Sequence, residues 1–184
     1  HAGTAGPLLI DGSLTTNSSN GALELTLRDQ AGARRIGLKT DLDVRFFPPF
    51  GRSFRTSWKL ALHPDIPTEL RIDGGAADLN LDLRDLNVKL LDVDSGAVST
   101  TVVMPAAAGE TRAVFDIGAA SLDIEIPPGV AAWVQIESAL TSVQVDLRRF
   151  PRAGEGEYRS DNFDAAANRV DLEINAGVSS VRVR

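Results

Sequence analysis

Val93-Asp94-Ser95-Gly96-Ala97-Val98-Ser99-Thr100-Thr101-Val102-Val103-Met104 and Phe115-Asp116-Ile117-Gly118-Ala119-Ala120-Ser121-Leu122-Asp123-Ile124-Glu125-Ile126 are one phrase written twice. An apolar residue is followed by an acid, then by small residues around a glycine, then by apolar residues at alternate positions. The phrase is also present upstream as Ile72 to Leu83 and downstream as Ile136 to Leu147, and the segment from Ile174 to Arg184 carries it again. The first apolar residues of the closing runs, Leu79, Thr100, Leu122, Val143 and Val181, are separated by 21, 22, 21 and 38 residues. Alternation of period two is the mark of a strand with one face buried and the other in water. A repeat of 21 to 22 residues is too short for a strand with a crossover helix, which takes about 30 or more. The reading is therefore all-β, with stacked rungs of about 21 to 22 residues forming a single-domain β-solenoid, a β-helix-like rod in which equivalent residues form ladders about 4.8 Å apart.

Two columns mark the bend inside each rung. Gly75, Gly96, Gly118, Ala139 and Gly177 fall where a positive φ or a close backbone approach is needed. Three residues later stand Asp78, Ser99, Ser121, Ser142 and Ser180, whose short side chains suit hydrogen bonds to the backbone at a corner. A row of serine nucleophiles would need a base, and no histidine accompanies any of them. Counting back by 21 from Leu79 reaches Trp58, where Leu60 and Leu62 continue the alternation, and a second step reaches Gly37 between Ile36 and Leu38. Leu23, Leu25 and Leu27 alternate but fall out of register. Residues 1–65 are thus expected to hold degenerate rungs and a cap in an irregular N-terminal third, and residues 66–184 the regular repeats, about eight rungs in all. Residues 148–169 read as a surface excursion ending in one helical turn capped by Asp161 or Asn162. The last copy is expected to close the rod, with Arg182 and Arg184 guarding its terminal edge.

Composition narrows the chemistry. The chain has 184 residues, 43% hydrophobic and 24% charged, which is a folding composition of single-domain size. Its net charge of −6 argues against nucleic-acid binding, which needs a basic footprint. With no cysteine and two histidines, His1 and His63, the usual thiol, zinc, copper and haem sites are excluded, and no catalytic residue, cofactor or metal site is assigned. His63, between Leu62 and Pro64, reads as structural, and so does Trp133 beside the turn at Pro127-Pro128-Gly129. No apolar run approaches the ~20 residues that span a bilayer. The chain begins at His1 rather than Met, so any targeting or membrane segment is expected to lie outside it.

The tandem phrase, its exits at Met104-Pro105 and Ile126-Pro127-Pro128-Gly129-Val130, and the tail carrying Tyr158, Ser160, Phe163, Ala166 and Arg169 resemble the toastrack-type domain, as in the C-terminal domain of LiaF-like membrane proteins of the cell-wall-active antibiotic response and in related adhesin-like solenoids. The resemblance covers about residues 66 to 184. It implies a right-handed solenoid, no catalytic residues, and a domain hung from a membrane segment. The function it implies is a non-enzymatic sensory or regulatory role in the bacterial envelope stress response, through contacts with a protein partner or a cell-envelope component. The alternatives are an adhesin-like glycan or surface binder and, more remotely, a polysaccharide-active β-helix enzyme. Localisation is expected to be membrane-associated or extracytoplasmic.

Two groups of residues are candidate sites. The column Asp73, Asp94, Asp116 and Glu137, with Asn175 at the equivalent place, would stack carboxylates about 5 Å apart. A calcium ion, a sugar or a catalytic acid pair could exploit such a row, and a solvated polar face is the plain reading. Residues 44–64 gather Arg45, Phe46, Phe47, Phe50, Arg52, Phe54, Arg55 and Trp58 with no acid, leaving −10 on the rest of the chain. They suit a cap over an open solenoid end or a partner or anionic membrane surface. Burial separates the two: as a cap, Phe50→Ala and Phe54→Ala should each cost about 3 to 5 kcal/mol in denaturant melts. As a membrane surface, they should leave the melts unchanged and abolish binding to anionic vesicles.

Overall fold

An apolar residue at every second position gives each repeat an inner face, and a segment of two such runs can only bury that face by stacking on others of its kind. The computed structural model describes residues 10–16, 21–30, 33–42 and 56–184. The strands in chain order are β1 (Ile10–Thr16), β2 (Gly21–Gln30), β3 (Ala33–Leu42), β4 (Thr56–Leu62), β5 (Thr68–Asp82), β6 (Val88–Val103), β7 (Glu110–Glu125), β8 (Ala131–Val145), β9 (Arg152–Gly154), β10 (Glu157–Arg159) and β11 (Arg169–Val183). A 3-10 turn at Phe163–Ala165 is the only helical piece among the described residues. β1 and β4 pair antiparallel as a two-stranded sheet, and the other nine strands form one sheet in the order β2-β3-β5-β6-β7-β11-β8-β10-β9. Six of them, β3, β5, β6, β7, β11 and β8, run parallel, fewer than the eight rungs expected.

The inner columns follow the repeat register. Leu38, Ile72, Val93, Phe115, Ile174 and Ile136 stand opposite one another in successive parallel strands. From Ile72 onward all are buried, Val93, Phe115 and Ile174 completely. Beyond the bend a second column runs Leu79, Thr100, Leu122, Val181, Val143, and a third Leu81, Val102, Ile124, Val183, Val145. Met104 and Ile126 close the second arms from the loops that follow. Burying a side chain of this size contributes about 1.5 to 3 kcal/mol, so the ladder holds itself together by its inner face.

Chain order and ladder order differ at one place. β11 does not close the stack; it lies between β7 and β8, in register with both along its length. Its charges match those of β7. Asp171 and Glu173 on its first arm lie beside Arg112 of β7, while Arg182 on its second arm and Arg184 just past it lie beside Asp123 and Glu125 of β7. On the other flank β8 offers the neutral Gln135 to Asp171 and Gln144 to Arg182. The two arginines therefore do not guard an edge.

The excursion folds back onto the ladder. β9 and β10 form a hairpin whose second strand pairs antiparallel with Trp133–Gln135 of β8. It is fastened by the buried Phe150 and Tyr158 and by Ser160, whose Oγ accepts from the Ala132 N–H at 3.0 Å. The 3-10 turn sits where the sequence placed a helical turn, with Asn162 at its N-cap position, but no side chain caps it. In the N-terminal third the ladder is continued by β3, where Ile36 and Leu38 are the register partners of Leu70 and Ile72. The 21-residue count points to Trp58, yet among the described residues β4 pairs only with β1. Leu25 and Leu27 of β2 stand opposite Leu38 and Ile36.

At the bend, close approach rather than a positive φ explains the glycines. The positive-φ glycines among the described residues are Gly109, Gly129 and Gly156, all in turns. A Cβ on Gly118 would lie 2.6 Å from the Gly96 carbonyl oxygen, and one on Gly177 would lie 2.5 Å from that of Gly118. The serine column behaves differently from expectation: Ser180 and Ser121 hydrogen-bond each other across the ladder, Oγ to Oγ at 3.3 Å. Because the clash at Gly177 is with backbone flanked by two strands, Gly177→Ala should destabilise the fold by about 1 to 3 kcal/mol in a urea melt. At Gly129 a Cβ meets nothing within 4 Å, so Gly129→Ala should cost only its φ strain, about 1 kcal/mol.

Candidate functional site

Residues at odd offsets from the inner columns must face outward, so the first acid of each repeat lands on the outer face of the first arm. There the structure brings Asp73, Asp94, Asp116, Asn175 and Glu137 into one row, in that order. The four acids are exposed. Because β11 is inserted, Asn175 separates Asp116 from Glu137, and its Nδ2 donates to Asp116 Oδ1 at 2.8 Å. At the other end Lys39 of β3 is the register partner of Asp73. The row is thus broken by a neutral donor at one end and continued by a basic residue at the other. Among the described residues no group of three histidines or acids is arranged to hold a metal ion.

Neighbouring rows are charge-paired. On the first arm Arg71 meets Asp92 at 3.3 Å, Arg112 meets Glu173 at 3.0 Å, and Arg169 meets Glu110. On the second arm Arg184 bridges Asp123 at 2.9 Å and Glu125 at 3.4 Å, Arg182 reaches Asp123 at 3.5 Å, and Arg84 lies 3.9 Å from Glu125. Each exposed pair is worth little by itself, about 0 to 1 kcal/mol, but shared partners hold several side chains in one arrangement. The Asp146 carboxyl is held below its ordinary range by hydrogen bonds from the side chain and backbone of Arg148.

A second cluster lies where the hairpin meets β8. Trp133 and Phe163 pack edge to face with ring centroids 6.1 Å apart, and the Arg159 guanidinium lies over both rings, 5.6 and 5.0 Å from their centroids. Asp164 pairs with Arg159. Trp133 is therefore not a core or corner filler: it lies half-buried on the outer face under the excursion, and its Nε1 is buried without a partner. Arg149 bonds the carbonyls of Ile126 at 2.6 Å and Pro127 at 3.0 Å, tying the excursion to the β7–β8 turn. The signal for this cluster in the sequence is the break in the repeat at Arg148-Arg149. His63 closes a local turn, its Nδ1 accepting from the Asp65 N–H at 3.3 Å.

Of the basic and aromatic group, Arg45, Phe46, Phe47, Phe50, Arg52, Phe54 and Arg55 lie outside the described residues. Trp58 is on β4, opposite Leu14 of β1.

Comparison with known proteins fits this architecture. The family model described as the N-terminal domain of toast_rack, DUF2154, matches residues 2–125, taking in the N-terminal third that the repeats leave out. No curated protein matches the chain. Among solved structures, a candidate cell adhesion protein from Clostridium sporogenes shares the fold at 18% identity, with a TM-score of 0.81 over 97% of this chain and 84% of that one.

The acidic row gives a direct test. Asn175→Asp replaces a donor by a fifth carboxylate and sets it between Asp116 and Glu137. The variant should lose about 1 kcal/mol at neutral pH, and the loss should shrink as the pH falls through the carboxylate range. Urea melts at pH 7 and pH 4 measure this; an equal loss at both would show that repulsion has no part in it.

Proposed function

The chain belongs to the toast_rack N-terminal domain family, and from that premise we propose that it is a non-enzymatic module of a bacterial cell-envelope protein, acting by surface contact in the response to envelope stress. In this reading the parallel strands of the ladder are joined by right-handed crossovers, and the domain is held at the membrane by a segment outside the given sequence. The observation that supports the reading most is the outer face. Rows of exposed charge stand in ladder register on a sheet whose inner face is apolar, so their positions are set by the backbone and not by flexible loops. Such a surface suits recognition of a protein or envelope polymer presenting a complementary repeat of charge.

A second reading, an adhesin-like glycan or surface binder, draws on the cluster of Trp133, Phe163 and Arg159 and on the fold shared with a candidate cell adhesion protein. An aromatic face beside polar rows is the usual make-up of a small-molecule or sugar site. The two readings separate in one experiment. A strain lacking the gene is complemented with the full-length gene, intact or carrying Asp73→Lys with Asp94→Lys, or Trp133→Ala, and an envelope-stress reporter is followed under a cell-wall-active antibiotic. The contact reading expects the charge-reversed gene to fail with normal protein levels. A normal response in the deletion strain overturns it, and binding of the purified domain to cell-wall polysaccharide that Trp133→Ala abolishes supports the second.

A further inference from the structure

The insertion of β11 leaves β8 as the last full-length strand of the ladder, and only part of its outer side is covered. β10 pairs with Trp133–Gln135, and the Ile136 N–H donates to Gly156 O. Beyond that point no described strand pairs with the outer side of β8. The Asp146 N–H donates inward to Val183 O, so the alternation of backbone directions turns the N–H and C=O groups of Val143 and Val145 outward. The side chains report the same opening. Leu122, Ile124, Val181 and Val183 are buried, whereas Val143 and Val145 in the same two columns are half-buried. Leu147, just past the strand, is 57% exposed, the one exposed large hydrophobic residue among the described residues.

Exposed edges are normally blunted by charge, proline or a bulge. The stretch Ser138-Ala-Leu-Thr-Ser-Val-Gln-Val145 has no charged residue and no proline, and its register with β11 runs without a shift. The arginines that would have guarded it, Arg182 and Arg184, are one strand further in and paired with β7.

We propose that this edge is an interface between two copies of the chain, paired antiparallel about a twofold axis so that the two ladders continue into one sheet. The charges at its ends favour that partner and that direction. Glu137 precedes the neutral stretch, and Asp146, Arg148 and Arg149 follow it with a net positive charge, the Arg148 side chain pairing with Asp146 yet 91% exposed. Antiparallel pairing brings the Glu137 end of each copy to the Arg148 end of the other, while the uncharged middle meets itself. A parallel arrangement would set Glu137 beside Glu137, and a charged foreign strand would find no complement in the middle. The same patch serves both copies, which is the geometry of a closed dimer rather than a filament.

The test is the mass of the 184-residue chain in solution, by light scattering after size exclusion and by sedimentation over a concentration series. The expected species is a dimer of twice 19.6 kDa. Ser142→Lys, at an exposed position on the edge, should raise the dissociation constant at least roughly tenfold by setting like charges together across the axis. Its melting temperature should match that of the unaltered chain at concentrations where both are monomeric and fall below it where the unaltered chain is a dimer. Val143→Pro removes an outward N–H and should give monomers; if that variant fails to fold, Ser142→Lys decides alone. A monomer at every concentration overturns the proposal. So does a dimer indifferent to Ser142→Lys, which would place the interface elsewhere, and so does open-ended growth, which would mean head-to-tail stacking.

Discussion

Parallel stacking in register is the constraint from which the other features follow. Strands about 4.8 Å apart make every residue the neighbour of its own counterpart in the next copy. For apolar residues this is favourable, and Val93, Phe115 and Ile174 become one continuous core. For a glycine at the bend it means that its Cα hydrogen faces the carbonyl of the next glycine, with no room for a methyl group. For acids it is unfavourable, and the structure relieves it by placing Asn175 between Asp116 and Glu137. One geometric rule thus sets what each column accepts.

Much of this was legible in the residues. Period-two alternation marked β5, β6, β7, β8 and β11 as strands, and the gapless alignment of the copies gave their register to the residue, Ile72 to Val93 and Val93 to Phe115. The order of stacking was not legible, because periodicity says which residues are equivalent and is silent on which copies touch. That information lies in complementarity between copies, Arg112 with Asp171 and Glu173, Arg184 with Asp123 and Glu125, and it is visible only when non-consecutive copies are set side by side. The N-terminal third failed for a related reason: a 21-residue count assumes an unbroken repeat, and the intervening β4 belongs to another sheet.

The candidate sites divide the same way. The acidic row was foreseen as a column, since register alone produces it, but its interruption by Asn175 depends on strand order. The cluster of Trp133, Phe163 and Arg159 joins a repeat residue to the excursion, which has no counterpart in the other copies against which a pattern could be seen. Repeats make the common features easy to read and hide what is particular to one copy.

The place of β11 also orders events in time. Neighbours such as β5 and β6 close contacts over about 21 residues, whereas β7 meets β11 across 59. As the chain leaves the ribosome, β7 and β8 are both complete while the strand that belongs between them has not been made. Non-local pairing of this kind slows folding and leaves strand edges open in the meantime. Direct association of β7 with β8 would be the ready error, one that must be undone before β11 can enter. That premature pairing would set Asp116 opposite Glu137 and lengthen the unbroken run of acids that already holds Asp73, Asp94 and Asp116, the run that Asn175 interrupts in the finished protein.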